Sequence, residues 1–330
     1  MQPPFLHTLL DESLSLGPEY GAGLSSHLPM ALHALHAMGA GPSRLRTFSL
    51  GYRARFGAPE KAAAAAAPLP GDWGDARGDF GAFSALRQHI EVLLRDQGPD
   101  ATLHALLPAL WPGSAGAAFH GLIRTAHAVQ SGHTGELAAA LAYWAARWQA
   151  APVPAVSRLP VASLPLTEWA AQLEAAALEL RLPGRLISLR IGVAVQTPAY
   201  VALADATSLD SLSPLSDWAA DLYARSGNFT VLHVVTAARA ARVLWPWTTA
   251  RNAVLRDLLH AVTAAVLASH LQRAAPLGAD DALPTWPELV DRAVASDDEH
   301  EIKLVHALVE ECEVYGEGRR RQAAVRVLLS

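Results

Sequence analysis

The chain has 330 residues, 51% of them hydrophobic and only 17% charged, and 31 acids against 26 bases leave a net charge of −5. That balance supplies no basic surface for a nucleic acid, and one cysteine, Cys312, excludes a disulfide framework or a multi-cysteine metal site. Of the 26 bases only Lys61 and Lys303 are lysine, so each stands out in a chain that otherwise writes its positive charge as arginine, and 14 histidines far outnumber them.

In chain order, MQPPFLHTLLDESLS has neither a basic start nor a proper apolar core, so no signal peptide is expected. No apolar run approaches a membrane span, and a soluble cytoplasmic protein without membrane or nucleic-acid partners is the expectation. Alanine and leucine at three- and four-residue spacing predict helices through most of the chain, hence an all-α fold in one large domain, 1–330. Pro29 and the Gly39–Pro42 stop bracket a helix over Leu28–Met38. Ser43 is expected to cap Arg44–Phe56, and the Ala58–Gly74 stretch reads as a loop with a short turn at Ala62–Ala67. Helices follow over Phe80–Gln97, Ala101–Leu110, Ala115–Ser131 and Gly135–Trp148.

The prolines of Pro152–Pro165 suggest an extended internal connector, after which Thr167 is expected to cap Glu168–Leu182. Leu186–Gln196 is the best strand candidate, with a helix over Ile187–Val195 nearly as consistent. Trp218–Ser226, Thr230–Val243 and Thr249–Gln272 read as helices, Ala274–Pro287 as a loop, and Glu288–Ser296 and Asp297–Val314 as helices again. The Arg319–Arg321 run reads as solvated surface.

No phosphate-binding loop, GxGxxG, HExxH or GxSxG is present, which counts against a self-contained dinucleotide-binding enzyme. What remains is histidine in apolar helical settings. His27, His33 and His36 lie at different helical angles and cannot all face one centre, whereas His120 and His127, seven apart, share a face. His233 opens an apolar run, and His300 and Lys303 are three apart and point the same way, with His306 about 120° from His300. Ordinary alternatives stand beside each: core histidines, a solvated Lys303–Glu299 salt bridge, and core packing for Trp144, Trp148, Trp245 and Trp247, which otherwise would wall an aromatic pocket.

The segments SSHLPMALHALHAMGAG (25–41), AAFHGLIRTAHAV (117–129), FTVLHVVTAARAAR (229–242) and DDEHEIKL (297–304) resemble, in order, those of the questin oxidase-like family of fungal anthraquinone oxidases and bacterial relatives. The resemblance implies one of two chemistries: a Baeyer–Villiger-type oxidase using NADPH, or a mononuclear non-haem iron oxygenase whose metal is held by histidines and a carboxylated lysine. Carried over by position, the metal ligands would be His27, His120, His233, His300 and Lys303. The implied reaction is oxygenation, with O2, of an aromatic or polycyclic phenol or quinone, and Arg124 and Arg239 are expected to orient its oxygen. Imidazole suits iron, and a carbamate made from CO2 on Lys303 adds an anionic oxygen that neither lysine nor arginine supplies. A small-molecule-binding protein without turnover is the alternative from another class. A zinc hydrolase fits less well, because five protein ligands crowd a metal that usually takes four.

Overall fold

A computed structural model describes residues 4–56, 69, 71–152, 163–277 and 283–328. The fold is all-α, a single multi-helix domain with one two-stranded antiparallel sheet, β1 (Glu19–Tyr20) against β2 (Leu24–Ser25), in which Glu19 faces Ser25. The helices run α1 (Pro4–Ser13), α2 (Leu28–Ala37), α3 (Pro42–Arg53), α4 (Phe83–Leu110), α5 (His120–Ser131), α6 (Thr134–Ala146), α7 (Leu166–Glu179) and α8 (Ile187–Ala194). They continue with α9 (Pro198–Leu203), α10 (Ser213–Ser226), α11 (Phe229–Leu244), α12 (Arg251–Leu267), α13 (Trp286–Ala295), α14 (Glu299–Tyr315) and α15 (Arg320–Leu328).

The strand expected over Leu186–Gln196 is helix α8. Ile191 and Ala194 are buried while Leu189 and Val193 are exposed, a separation by three and four residues that a helix makes and an alternating strand does not. The expected caps also move. Gly41 and Pro165 take the N-cap positions of α3 and α7, which puts Ser43 and Thr167 inside the first turns. Helices expected over Phe80–Gln97 and Ala101–Leu110 join as α4, interrupted at Gly98 (φ 80°, ψ 170°), where the following Pro99 disfavours helical backbone. Arg320, expected on a solvated surface, is 1% exposed and bonded to Asp217 and to the Gly316 carbonyl. α1, α9 and α15 had no counterpart in the sequence reading. The turn at Ala62–Ala67 and most of the proline-rich connector lie outside the described residues.

Four helices position everything that follows. α2 packs on α5, α5 on α11, α11 on α14, and α14 back on α2, a closed ring. Their histidines converge near the N-terminal ends of all four, so the ring is parallel and each connection has to return outside it. α6 lies against α5 so closely that a side chain at Gly121 would meet the Trp144 backbone at 2.5 Å. The apolar core extends around this ring, and a smaller cluster joins α1, α2 and α3.

Candidate metal centre

His27 is the N-cap of α2, His120 opens α5, His233 lies in the second turn of α11, and His300 is the second residue of α14. Their rings form a closed quadrilateral, with centres 4.6 Å apart for His27–His120, 4.8 Å for His120–His233, 5.8 Å for His233–His300 and 4.6 Å for His300–His27. Ligand atoms of His27, His120 and His233 all lie within 4.8 Å of one another, as do those of His27, Glu299 and His300.

Local backbone geometry fixes which ring nitrogen is offered. Ala117, Ala118 and Phe119 have φ of 47°, 55° and 67°, a left-handed run that non-glycine residues rarely adopt. It aims the Ala117 carbonyl at His120, whose Nδ1–H donates to it at 2.5 Å and leaves Nε2 free of its proton. Gly116 is required just before the run, since a Cβ there would meet the Arg147 carbonyl oxygen at 1.9 Å. His233 repeats the arrangement by donating Nδ1–H to Phe229 O at 2.8 Å. The Nε2 atoms of His27 and His120 stand 2.6 Å apart, closer than the usual span of about 2.7–3.2 Å for an N–H hydrogen bond.

Several buried polar atoms here have no hydrogen-bond partner: His27 Nδ1, His300 Nε2 and Lys303 Nζ. Lys303 is fully buried. The salt bridge to Glu299 anticipated as its ordinary role is not made. Glu299 instead accepts from Arg55 at 2.7 Å and stands 3.8 Å from His27 Nδ1. Burial pulls Lys303 down to about 7, with Glu299 and Asp298 offsetting part of the effect. Burial likewise holds His27 and His233 neutral far below the ordinary histidine range, and brings His120 to about 3, with the Lys303 charge adding to each. His300 is lowered by burial too, against the pull of Asp298. Neutral imidazoles and a partly neutral amine are the forms that bind metals and CO2, and orphaned nitrogens converging in an apolar core fit a bound ion.

The four histidines carried over from the resemblance therefore come together, and the Lys303 charge acts on each of them. The two arginines do not join them. Arg124 forms a buried, doubly bonded pair with Glu136 at 2.6 and 2.8 Å, and Arg239 bonds Glu310 at 2.6 Å, and neither lines the adjoining cavity. Sequence reading named Glu299 only as a salt-bridge partner of Lys303, not as a member of the centre, and missed the left-handed turn, which alanines give no reason to expect.

The cavity over the histidines holds about 660 Å3. His27, His120, His233, His300 and Glu299 face it. Leu24, Leu189 and Phe229 line it while being 49%, 57% and 54% exposed, which makes an open apolar mouth. Of the four tryptophans noted in the sequence, Trp148 lines the cavity, Trp144 is buried edge-on against Trp111, and Trp245 and Trp247 pack on the core. On the polar wall Arg147 pairs with Glu19, which also accepts from the Tyr143 hydroxyl at 2.9 Å. Among the described residues no helix is long and apolar enough to cross a membrane. The chain matches no protein-family profile and no curated protein.

Proposed function

We propose that the protein is a mononuclear non-haem iron oxygenase of an aromatic or polycyclic phenol or quinone. The observation that carries this reading is the convergence of four neutral imidazoles at an apolar cavity, with a buried, unpaired lysine close enough for its charge to act on all four. His27, His120, His233, His300 and Lys303 would hold the metal, with Glu299 beside them. Bound iron supplies the one-electron chemistry that lets triplet oxygen react with a closed-shell phenol.

The chain's own residues do the rest. The neutral fraction of the Lys303 amine adds to CO2, forming an N–C bond and releasing one proton, and so becomes an anionic oxygen ligand. That anion is favoured by the electrostatics, because the positive ends of four helix dipoles point into the site. Ala117 and Phe229 carbonyls lock the tautomers of His120 and His233, so that the ligand nitrogens need no reorganisation. Leu24, Leu189 and Phe229 take the flat apolar face of the substrate and exclude water from the floor.

The reading is tested by loading metal-free protein with Fe(II) under nitrogen in the presence of 13C-bicarbonate. One equivalent of iron, a carbamate carbon resonance that Lys303→Arg abolishes, and oxygen uptake stimulated by hydroxylated anthraquinones are expected. Iron uptake below about 0.2 equivalents, or uptake unchanged by His120→Gln, overturns it.

A further inference from the structure

Each helix of the ring carries a second polar residue six or seven positions beyond the first: His33 after His27, His127 after His120, Arg239 after His233, and His306 after His300. At 1.5 Å per residue this second level lies roughly 9–10 Å deeper along the bundle. The first level's ligand assignment does not use it.

His33, His127 and His306 are 4%, 3% and 3% exposed. Their ring centres form a nearly equilateral triangle with sides of 5.2, 5.5 and 5.5 Å. An imidazole nitrogen bound at about 2.0–2.1 Å puts its ring centre about 3.2 Å from the ion, so tetrahedral ligands have ring centres about 5.2 Å apart. His33 Nδ1 and His127 Nδ1 share a hydrogen bond at 2.9 Å, a few tenths of an ångström short of the roughly 3.3 Å between two such nitrogens on one tetrahedral ion. His306 has both ring nitrogens buried without a hydrogen-bond partner, so turning its ring into the triangle breaks none. Glu310 Oε1 is 3.5 Å from His306 Nε2 and accepts from Gln130 Nε2 at 2.8 Å, while its Oε2 is held by Arg239 and Arg242.

We propose that His33, His127 and His306, with the Glu310 carboxylate as fourth ligand, form a second metal site that takes a four-coordinate divalent ion of the zinc type. Turning His306 is the largest movement required, since at present its nitrogens stand outside the span that brings the first-level ligands together. Glu310 Oε1 also exchanges its bond from Gln130 for the ion, and the His33 and His127 nitrogens part by a few tenths of an ångström. Arg239 bonds Gln130 and Glu310 and so orients the carboxylate from outside the coordination shell. Its charge also opposes a cation, so the second level fills after the first.

Metal-free full-length protein titrated with Zn(II), and separately with Co(II), tests the assignment at either level independently. Wild type is expected to take two equivalents, the later one giving the intense visible bands of four-coordinate cobalt. His306→Gln and His127→Gln each remove the later equivalent and those bands, whereas His120→Gln removes the earlier equivalent and leaves them. Saturation of wild type at a single equivalent without the four-coordinate bands overturns the second site, and that measurement needs no variant to fold. A second equivalent that survives in both His306→Gln and His127→Gln is adventitious surface metal and overturns it equally.

Discussion

Arg55 holds the Glu299 carboxylate at 2.7 Å, and by doing so withholds it from Lys303, one helical turn further along α14. The lysine is left fully buried, with no hydrogen-bond partner. Burial sets the protonation of Lys303, and the Glu299 charge, held by Arg55, offsets it only in part.

The first prediction concerns that amine. Reductive 13C-methylation of metal-free Lys61→Arg protein should give a Lys303 resonance titrating near neutrality, about 7, well below an ordinary lysine. Arg55→Gln frees Glu299 to approach the ammonium and should move that midpoint upward. An unshifted midpoint in the variant would separate Lys303 from Glu299.

The same burial has a sign in stability. Between the folded midpoint and the unfolded one near 10.4, the unfolded chain binds more protons, so stability of the metal-free protein rises with pH across that window. Lys303→Met removes the burden of neutralising the amine. At pH 7 it should stabilise the metal-free protein, by urea denaturation, on the order of 4 kcal/mol. A destabilising Lys303→Met would mean that the amine has a favourable partner.

Acid should act through the histidines. His27, His33, His120, His127, His233, His300 and His306 are all lowered by burial, with His120 and His306 at about 3. Their contribution is complete above the unfolded value of about 6.5 and is lost as pH falls towards the folded values. Each contributes up to about 1.4 kcal/mol per pH unit in that window. Denaturation measured from pH 7 to 4 should therefore steepen strongly, and His120→Gln or His306→Gln should each flatten the slope by about that amount.

The left-handed turn before His120 makes a conformational prediction. Alanine at positive φ costs free energy that glycine avoids, so Ala118→Gly should raise stability by about 0.5–1 kcal/mol. Gly116→Ala should lower it severely, because its Cβ would overlap the Arg147 carbonyl. Thermal melts of the two variants decide the point.

The helices were legible because alanine, leucine and the three-to-four spacing act locally, and the helices over Leu28–Met38, Thr230–Val243 and Asp297–Val314 lie within a residue or two of α2, α11 and α14. At α8 the strand was preferred only narrowly over the helix that forms, because its short apolar run fits either period and only its packing decides between them. The helical angles separated His33 from His27 correctly, yet angles alone gave no hint that His33 would meet His127 and His306 from other helices. That meeting depends on the ring α2–α5–α11–α14, a set of long-range contacts that no local pattern encodes. The turn at Ala117–Phe119 was hidden for the opposite reason: its conformation is imposed by surroundings against the preference of its own residues.

The two-level spacing of the ring bears on how this chain tolerates length change. One codon inserted between His27 and His33, or between His120 and His127, would turn everything beyond it by about 100° and advance it by about 1.5 Å. One member of a level would then point away while its companions on the other three helices stayed put. Substitution can alter each of these positions singly, but insertion and deletion within those four helical stretches are closed to the protein, and length variation is confined to the segments that return outside the ring.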